Sequence, residues 1–550
     1  LFHVIVPCMV SFRFNAVLAV LMITALLVTI PAFVVNAQRA ERASVAPPHS
    51  GGTQAQGVSA TPTTSSIAPD PPLATTQQQI MLGGKPLRYK TTAGLLPLRD
   101  EAGKLKATVF FTAYTRDEGA STAASTAKRP ITFVFNGGPG SASLWLHLGL
   151  MGPKRVLMGD AGESLAPPYM LIPNEYTWLD ETDLVFLDPV MTGFSRPAQG
   201  EEAKQFLGYE EDLASVGECI RLYLTRFERW SSPKFLAGES YGTTRAAGLA
   251  GYLQTRYNLY LNGVILISTI LNFQTARFAP GNNDPYILFL PTYTAAAWYH
   301  KKLPPDLQAK NLKTVLQEVE VFALNEYAIA LLQGSKLSKP AHQQVVEKLS
   351  RYTGLSPTYI EQTNLRIEIG RFTKELLRNE RRTVGRLDSR FKGVDIDAAG
   401  ERYEFDPSLD ATISGPFTAT VNYYLRSELA VGNEHVRWEI PFESLTGRVQ
   451  PWNYNNVQNQ YLNVAETLRR AMNKNPFMKV WVAAGYYDLA TPYFASDYTF
   501  AQMHLDDDIR SNITQTYYEA GHMMYIHSAS LRQLKSDCVK FFRSALNSSK

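Results

Sequence analysis

Apolar and polar positions along this chain follow two periods. Ile131–Phe135, Asp183–Pro189 and Asn262–Ser268 are short, nearly continuous apolar runs, each ending in a turn. That pattern predicts buried strands of a largely parallel sheet. Leu105–Arg116 alternates instead, predicting an edge or near-edge strand, and Asp117–Lys128 is polar and turn-like. Between these runs the period lengthens: Leu213, Val216, Ile220, Tyr223, Leu224 and Phe227 recur at helical spacing across Tyr209–Trp230. Met478–Asp488 reads as strand plus loop, and Leu531–Phe542 as a helix. Strand–helix alternation at both ends, with a long middle between, predicts one α/β sheet carrying a large insertion. The middle, residues 272–438, holds helical stretches at 312–334 and 365–380. It is read as a mainly helical cap that narrows access to the sheet.

The first 79 residues follow neither period. Asn15–Val35 is strongly apolar, Arg13 precedes it, and Val35-Asn36-Ala37 resembles a small-residue cleavage site. This is the pattern of an export signal over residues 1–37, with Met9 as an alternative start, and it predicts a secreted or periplasmic protein. Uncleaved, the run would tether the protein to a membrane. Residues 38–79, rich in Ala, Ser, Thr, Pro and Gln, read as a disordered linker. The core is then expected over 80–271 and 439–550.

Composition adds mainly exclusions. Among 550 residues, 45% are apolar and the net charge is +4, with no dense basic stripe. A large core is expected and nucleic-acid binding is not. The three cysteines, Cys8, Cys219 and Cys538, form no CxxC, so neither a cysteine zinc cluster nor another metal or organic cofactor is expected. Cys219 and Cys538 could form one disulfide, but both fall in helical patterns and are read as unbridged or variably bridged thiols.

The chemistry lies in the turns. Gly238-Glu239-Ser240-Tyr241-Gly242 fits G-x-S-x-G between a strand-like Phe235-Leu236-Ala237 and the helix-compatible Thr243–Tyr252. Flanking glycines allow the strained turn that exposes a serine hydroxyl, which identifies Ser240 as the candidate nucleophile of an α/β-hydrolase fold. A serine needs a base and an orienting acid, in the chain order Ser, acid, His. His522, after Gly521, is the candidate base; His527 and His504 are weaker alternatives. Asp488, in the loop after a late strand, is the candidate acid, ahead of Asp497 and Asp506–Asp508. The glycine loop Asn136-Gly137-Gly138-Pro139-Gly140 follows a buried strand. The N–H groups of Gly138 and Tyr241 are the candidate oxyanion hole. Asn136 is placed either to meet substrate or to hold the loop.

Together NGGPGSAS, LDPVMTGFS, AGESYG, GYYDLATP and GHMMY resemble the serine carboxypeptidase family from about residue 105 onward. The resemblance implies removal of C-terminal residues from peptides, commonly in mild acid, with Ser240, Asp488 and His522 as the triad. It further implies that Asn136, Gly137 and Glu239 bind the substrate's terminal carboxylate and that Met523 lines the leaving-residue pocket. Glu239 would do so protonated, sharing a proton with a second acid. Here the chain departs from the pattern: the second acid's position falls on Leu150, and Ser141 replaces the family's loop cysteine. The basic pair Lys154-Arg155 is a candidate compensation. The missing disulfide and alanine-rich leader suggest a bacterial envelope protein. A competing reading, favoured by Leu150, is an esterase or acyltransferase using the same triad; a non-catalytic binding protein is a third.

Overall fold

The apolar runs lie side by side in one sheet in a computed structural model, which describes residues 70–117, 119 and 128–547. Nine strands form its path: β1 (Leu73–Leu82), β2 (Lys85–Arg99), β3 (Leu105–Arg116), β4 (Ile131–Phe135), β5 (Asp183–Leu187), β6 (Lys234–Glu239), β7 (Gly263–Ile267), β8 (Lys479–Gly485) and β9 (Ile513–Tyr518). Their spatial order is β1-β2-β3-β5-β4-β6-β7-β8-β9. The first three strands and β5 pair antiparallel, and everything from β5 to β9 is parallel. Parallel neighbours require crossover connections, which cover both faces of a sheet. Consequently β4, β5 and β7 are buried at every position, which explains why their sequences do not alternate.

Two apolar layers sandwich this sheet. On one side Leu213 and Ile220 of helix α1 (Tyr209–Arg226) pack with Leu249 and Leu253 of helix α2 (Tyr241–Tyr257). On the other, Trp178 stacks on Trp481 and meets Phe542 of the C-terminal helix (Ser528–Asn547). Each fully buried Leu or Phe contributes about 1.5–3 kcal/mol, an upper estimate because unfolded chains already bury some apolar surface.

β9 and the two strands at the amino-terminal edge were not expected. β1 begins at Leu73, so the sheet takes in residues 73–79 of the expected linker. In LATTQQQIML only Ala74 and Ile80 are buried, because an edge strand needs few apolar contacts. β2 carries Gly94 and Pro97, which read as loop residues, yet its second half is almost wholly buried. The leader and residues 38–69 lie outside the described residues. No helix among the described residues is long and apolar enough to cross a membrane.

The insertion packs around a further apolar cluster that it shares with Tyr487, Leu489 and Tyr493 after β8. Helices α3 (Asp284–Tyr299), α4 (Leu312–Phe322) and α5 (Lys339–Thr353) pack through Tyr293, Val315 and Val346, among others. The expected helix over 365–380 is shorter, Ile369–Glu375 followed by a turn. After it comes a feature with no helical period: a small hairpin, Arg382–Val384 against Lys392–Val394. Its connection, residues 385–391, runs into the active-site region as a strap.

Candidate active site

Ser240 sits where β6 turns directly into α2, at φ 60° and ψ −129°. A non-glycine residue in this region costs about 1–3 kcal/mol, so the surroundings must hold it. Ser240 N–H donates to the Ile267 carbonyl (3.0 Å), and the Ser240 carbonyl accepts from Thr243 N–H (2.8 Å) and Thr243 Oγ1 (2.6 Å). The flanking glycines are required by contact. A Cβ at Gly238 would overlap the Gly242 carbonyl, and one at Gly242 would press on the carbonyls of Phe135 and Asn136.

The candidate base and acid meet behind this turn. His522 Nδ1 lies 2.7 Å from Asp488 Oδ2. Asp488 is fully buried and also accepts from Ala490 N–H, Thr491 N–H and Thr491 Oγ1. Burial opposes a charged His522 ring, but Asp488 outweighs it, so the ring titrates above its ordinary value. His522 N–H donates to the Leu387 carbonyl of the strap (2.6 Å), and its carbonyl accepts from Ser268 Oγ (2.6 Å). The alternatives lie elsewhere. His527 immediately precedes the last helix, and its Nδ1 pairs with Ser530 Oγ. Asp497 accepts from Tyr517 and Gln515.

The glycine loop packs against the same turn. A Cβ at Gly137 would strike Tyr241 N and Ser240 Cβ, and Gly138 and Gly140 have φ of 104° and 106°. Tyr241 N–H stands at the first position of α2, where the helix offers it no acceptor. Buried groups brace the loop from below. Asp188 Oδ1 accepts from Ser143 N–H (2.8 Å), and Arg245, ion-paired with Asp212, donates to the Asn136 carbonyl (2.7 Å). Sequence gives no signal for Arg245, because its neighbours are small residues. The Asn136 side chain holds the loop: Nδ2 donates to Glu239 Oε1 (3.0 Å), and Oδ1 accepts from Leu146 N–H (3.1 Å).

Glu239 is buried, and burial raises its carboxyl to about 7. Its Oε2 has no hydrogen-bond partner. The neighbouring Tyr525 hydroxyl, close enough to interact electrostatically, is buried and falls outside hydrogen-bond geometry. No second carboxyl bonds Glu239 among the described residues, and Leu150 is fully buried and apolar. Lys154 and Arg155 do not compensate: they pair with Glu428 and Glu175. Tyr525 belongs to the GHMMY motif, but nothing in the motif itself assigns it a role.

These groups open into one cleft of about 190 Å³, lined by Gly138, Glu239, Ser240, His522, Met523 and Arg386 among others. Leu387, Leu409, Ile413 and Leu445 supply apolar walls. The strap braces the base from the cap side. Asp388 accepts from Gly521 N–H (3.0 Å) and pairs with Arg390 (2.6 Å), and Ser389 bonds the Tyr487 carbonyl (3.0 Å). Among the described residues, no cluster of His, Cys, Asp and Glu has metal-binding geometry. Cys219 and Cys538 are both buried and free.

A family model described as serine carboxypeptidase matches residues 83–535. Pheromone-processing carboxypeptidase KEX1 of Saccharomyces cerevisiae is 31% identical over 160 residues, 27% of this chain and 20% of that protein. Serine carboxypeptidase-like 36 of Arabidopsis thaliana is 30% identical over 151 residues, 26% of this chain and 29% of that protein. The matched stretches thus span less than a third of either relative. The crystal structure of yeast Kex1(delta)p, titled a prohormone-processing carboxypeptidase, covers 82% of this chain and 91% of its own. Its TM-score is 0.52 at 17% identity, a likeness of fold.

Proposed function

This chain belongs to the serine carboxypeptidase family, and on that premise we propose that it hydrolyses the C-terminal peptide bond of peptides through an acyl-enzyme. The observation that carries this reading is the strained Ser240 opening into one cleft with His522, itself held by a buried Asp488. Ser240 Oγ attacks the scissile carbonyl while His522 takes its proton. The Gly138 and Tyr241 N–H groups stabilise the oxyanion. The C–N bond breaks as His522 protonates the leaving amine, and water then repeats the sequence on the acyl-enzyme.

Glu239 and Asn136 receive the terminal carboxylate, beside Gly137, and Met523 lines the pocket of the leaving residue. Glu239 can donate to a carboxylate only when protonated, a form its buried site sustains up to about pH 7. His522 must be neutral to act as base, which sets the acid limb. Activity on free C-termini is therefore expected to be bell-shaped, its acid limb set by a His522 ring that titrates above its ordinary value and its alkaline limb by Glu239 at about 7. A peptide offered with free and with amidated C-terminus tests the reading; equal cleavage of both would remove it.

Leu150 supports a second reading, ester hydrolysis or acyl transfer, because the second acid of the terminal-carboxylate clamp is absent. Ester turnover without peptide cleavage would favour it. Export to a bacterial envelope remains our reading of the leader pattern. Fractionation of the tagged full chain tests it, and retention in the cytosol would overturn it.

A further inference from the structure

We propose that Arg386 anchors the substrate's terminal carboxylate, serving where this chain lacks the second acid. The inference rests on the carboxypeptidase reading and deepens it.

Arg386 lines the cleft that contains Ser240, Glu239 and His522. It is half-buried, and among the described residues no hydrogen bond or ion pair engages its guanidinium. This sets it apart from other buried or half-buried arginines: Arg390 closes on Asp388, Arg229 on Asp183, and Arg245 on Asp212. Its main chain, by contrast, is pinned. Arg386 N–H donates to Asp406 Oδ1 (3.1 Å), and its carbonyl accepts from Leu489 N–H (3.1 Å), one residue after Asp488. The following residue is pinned as well, Leu387 N–H to Ser408 Oγ (3.0 Å) and the Leu387 carbonyl to His522 N–H. Among the described residues Asp406 forms no ion pair with the guanidinium, and its Oδ1 accepts from Arg386 N–H, Ser408 N–H and Ser408 Oγ. The strap thus presents a cation from a fixed point into the cleft.

Two physical consequences identify the ligand. One Asn136 Nδ2 hydrogen is committed to Glu239, which leaves only neutral donors, its second hydrogen and the Glu239 O–H, for a carboxylate that brings a full negative charge. A guanidinium matches such a group in both charge and planar donor geometry, and its hydrogen bonds are charge-assisted. The charge of Arg386 also opposes a positive His522 ring. A carboxylate bound at Arg386 cancels that opposition as His522 takes the serine proton, so the group that is recognised also eases the reaction.

The test uses the full chain and two matched pairs with the same acyl part: a blocked dipeptide and its ester analogue, each ending in carboxylate or amide. The readout is the ratio of kcat/KM between carboxylate-ended and amide-ended members. Arg386→Gln is expected to lower that ratio roughly 10- to 100-fold, mainly through KM, as loss of a charge-assisted bond does. Arg386→Lys should keep part of it and guards against a folding defect. An unchanged ratio in both variants overturns the proposal. So does a loss that appears instead on an amide-ended substrate bearing Glu rather than Gln, which would make Arg386 an acidic side-chain reader. If the unaltered protein cleaves only the esters, the peptidase reading fails, while the ester pair still decides the role of Arg386.

Discussion

The two sides of the cleft differ in how their polar groups are satisfied. On the reacting side Asp488 accepts four hydrogen bonds, Ser240 is tied to β7 and α2, and His522 is held at its ring and at both main-chain groups. On the recognition side Glu239 Oε2 and the Tyr525 hydroxyl are buried without partners, and the Arg386 side chain has none among the described residues. The contrast separates two demands. Groups that must hold one geometry through every bond change are over-determined, because misplacement there is costly to the rate. Groups that must exchange solvent for substrate keep unspent hydrogen-bonding capacity, at some cost in stability.

Substitutions can break this contrast. The largest effect is expected at Ser240. Ser240→Ala should lower kcat by about 10³- to 10⁶-fold while the fold persists, read by hydrolysis, circular dichroism and loss of fluorophosphonate labelling. A folded variant that retained turnover would detach the strained turn from the chemistry. Next is the strap: Asp388→Asn leaves Arg390 buried without its counter-charge. It should cost about 3–5 kcal/mol, read by denaturant unfolding, with kcat falling as the His522 loop loosens.

The recognition side predicts a different sign. Because burial lifts Glu239 from 4.5 to about 7, the native state holds an extra proton between those values. The protein therefore loses stability as pH rises from about 4.5 through 7, by about 3 kcal/mol from this group. Glu239→Gln should recover most of that stability at pH 8 and abolish the alkaline rise in KM for free C-termini, at the cost of weaker binding in mild acid. A variant no more stable than the parent at pH 8 would show that Glu239 is not under desolvation strain. The smallest effect concerns the thiols. Both described cysteines are free, so a reductant should leave the melting temperature of residues 70–547 unchanged, measured by calorimetry.

Much of the reacting side is legible in the order of residues alone. Gly137, Gly238 and Gly242 are conditions of close backbone approach, and such conditions are local, so they leave a compact motif. Chain order points to Asp488 and His522 because each follows a strand of a parallel sheet, whose turns gather at one edge. The recognition side leaves far weaker traces. Arg386 and Asp388 lie in a stretch with neither helical nor strand period, more than a hundred residues from Ser240, Glu239 and His522. Residues 73–99 escape the pattern for the opposite reason: an edge pair of strands can carry Thr, Gln, Gly and Pro where a central strand cannot.

By itself, then, the sequence determined the sheet's buried strands, the serine turn and its glycine loop, and the order in which acid and base must follow. Backbone sterics and apolar periodicity act over a few residues, and the chain cannot hide them. Only the tertiary structure decided that Leu150 is sealed in the core, that no second acid among the described residues bonds Glu239, and that a strap from the cap brings Arg386 to the cleft. Those are matters of which distant segments share a dielectric and a hydrogen bond, and no local pattern records them.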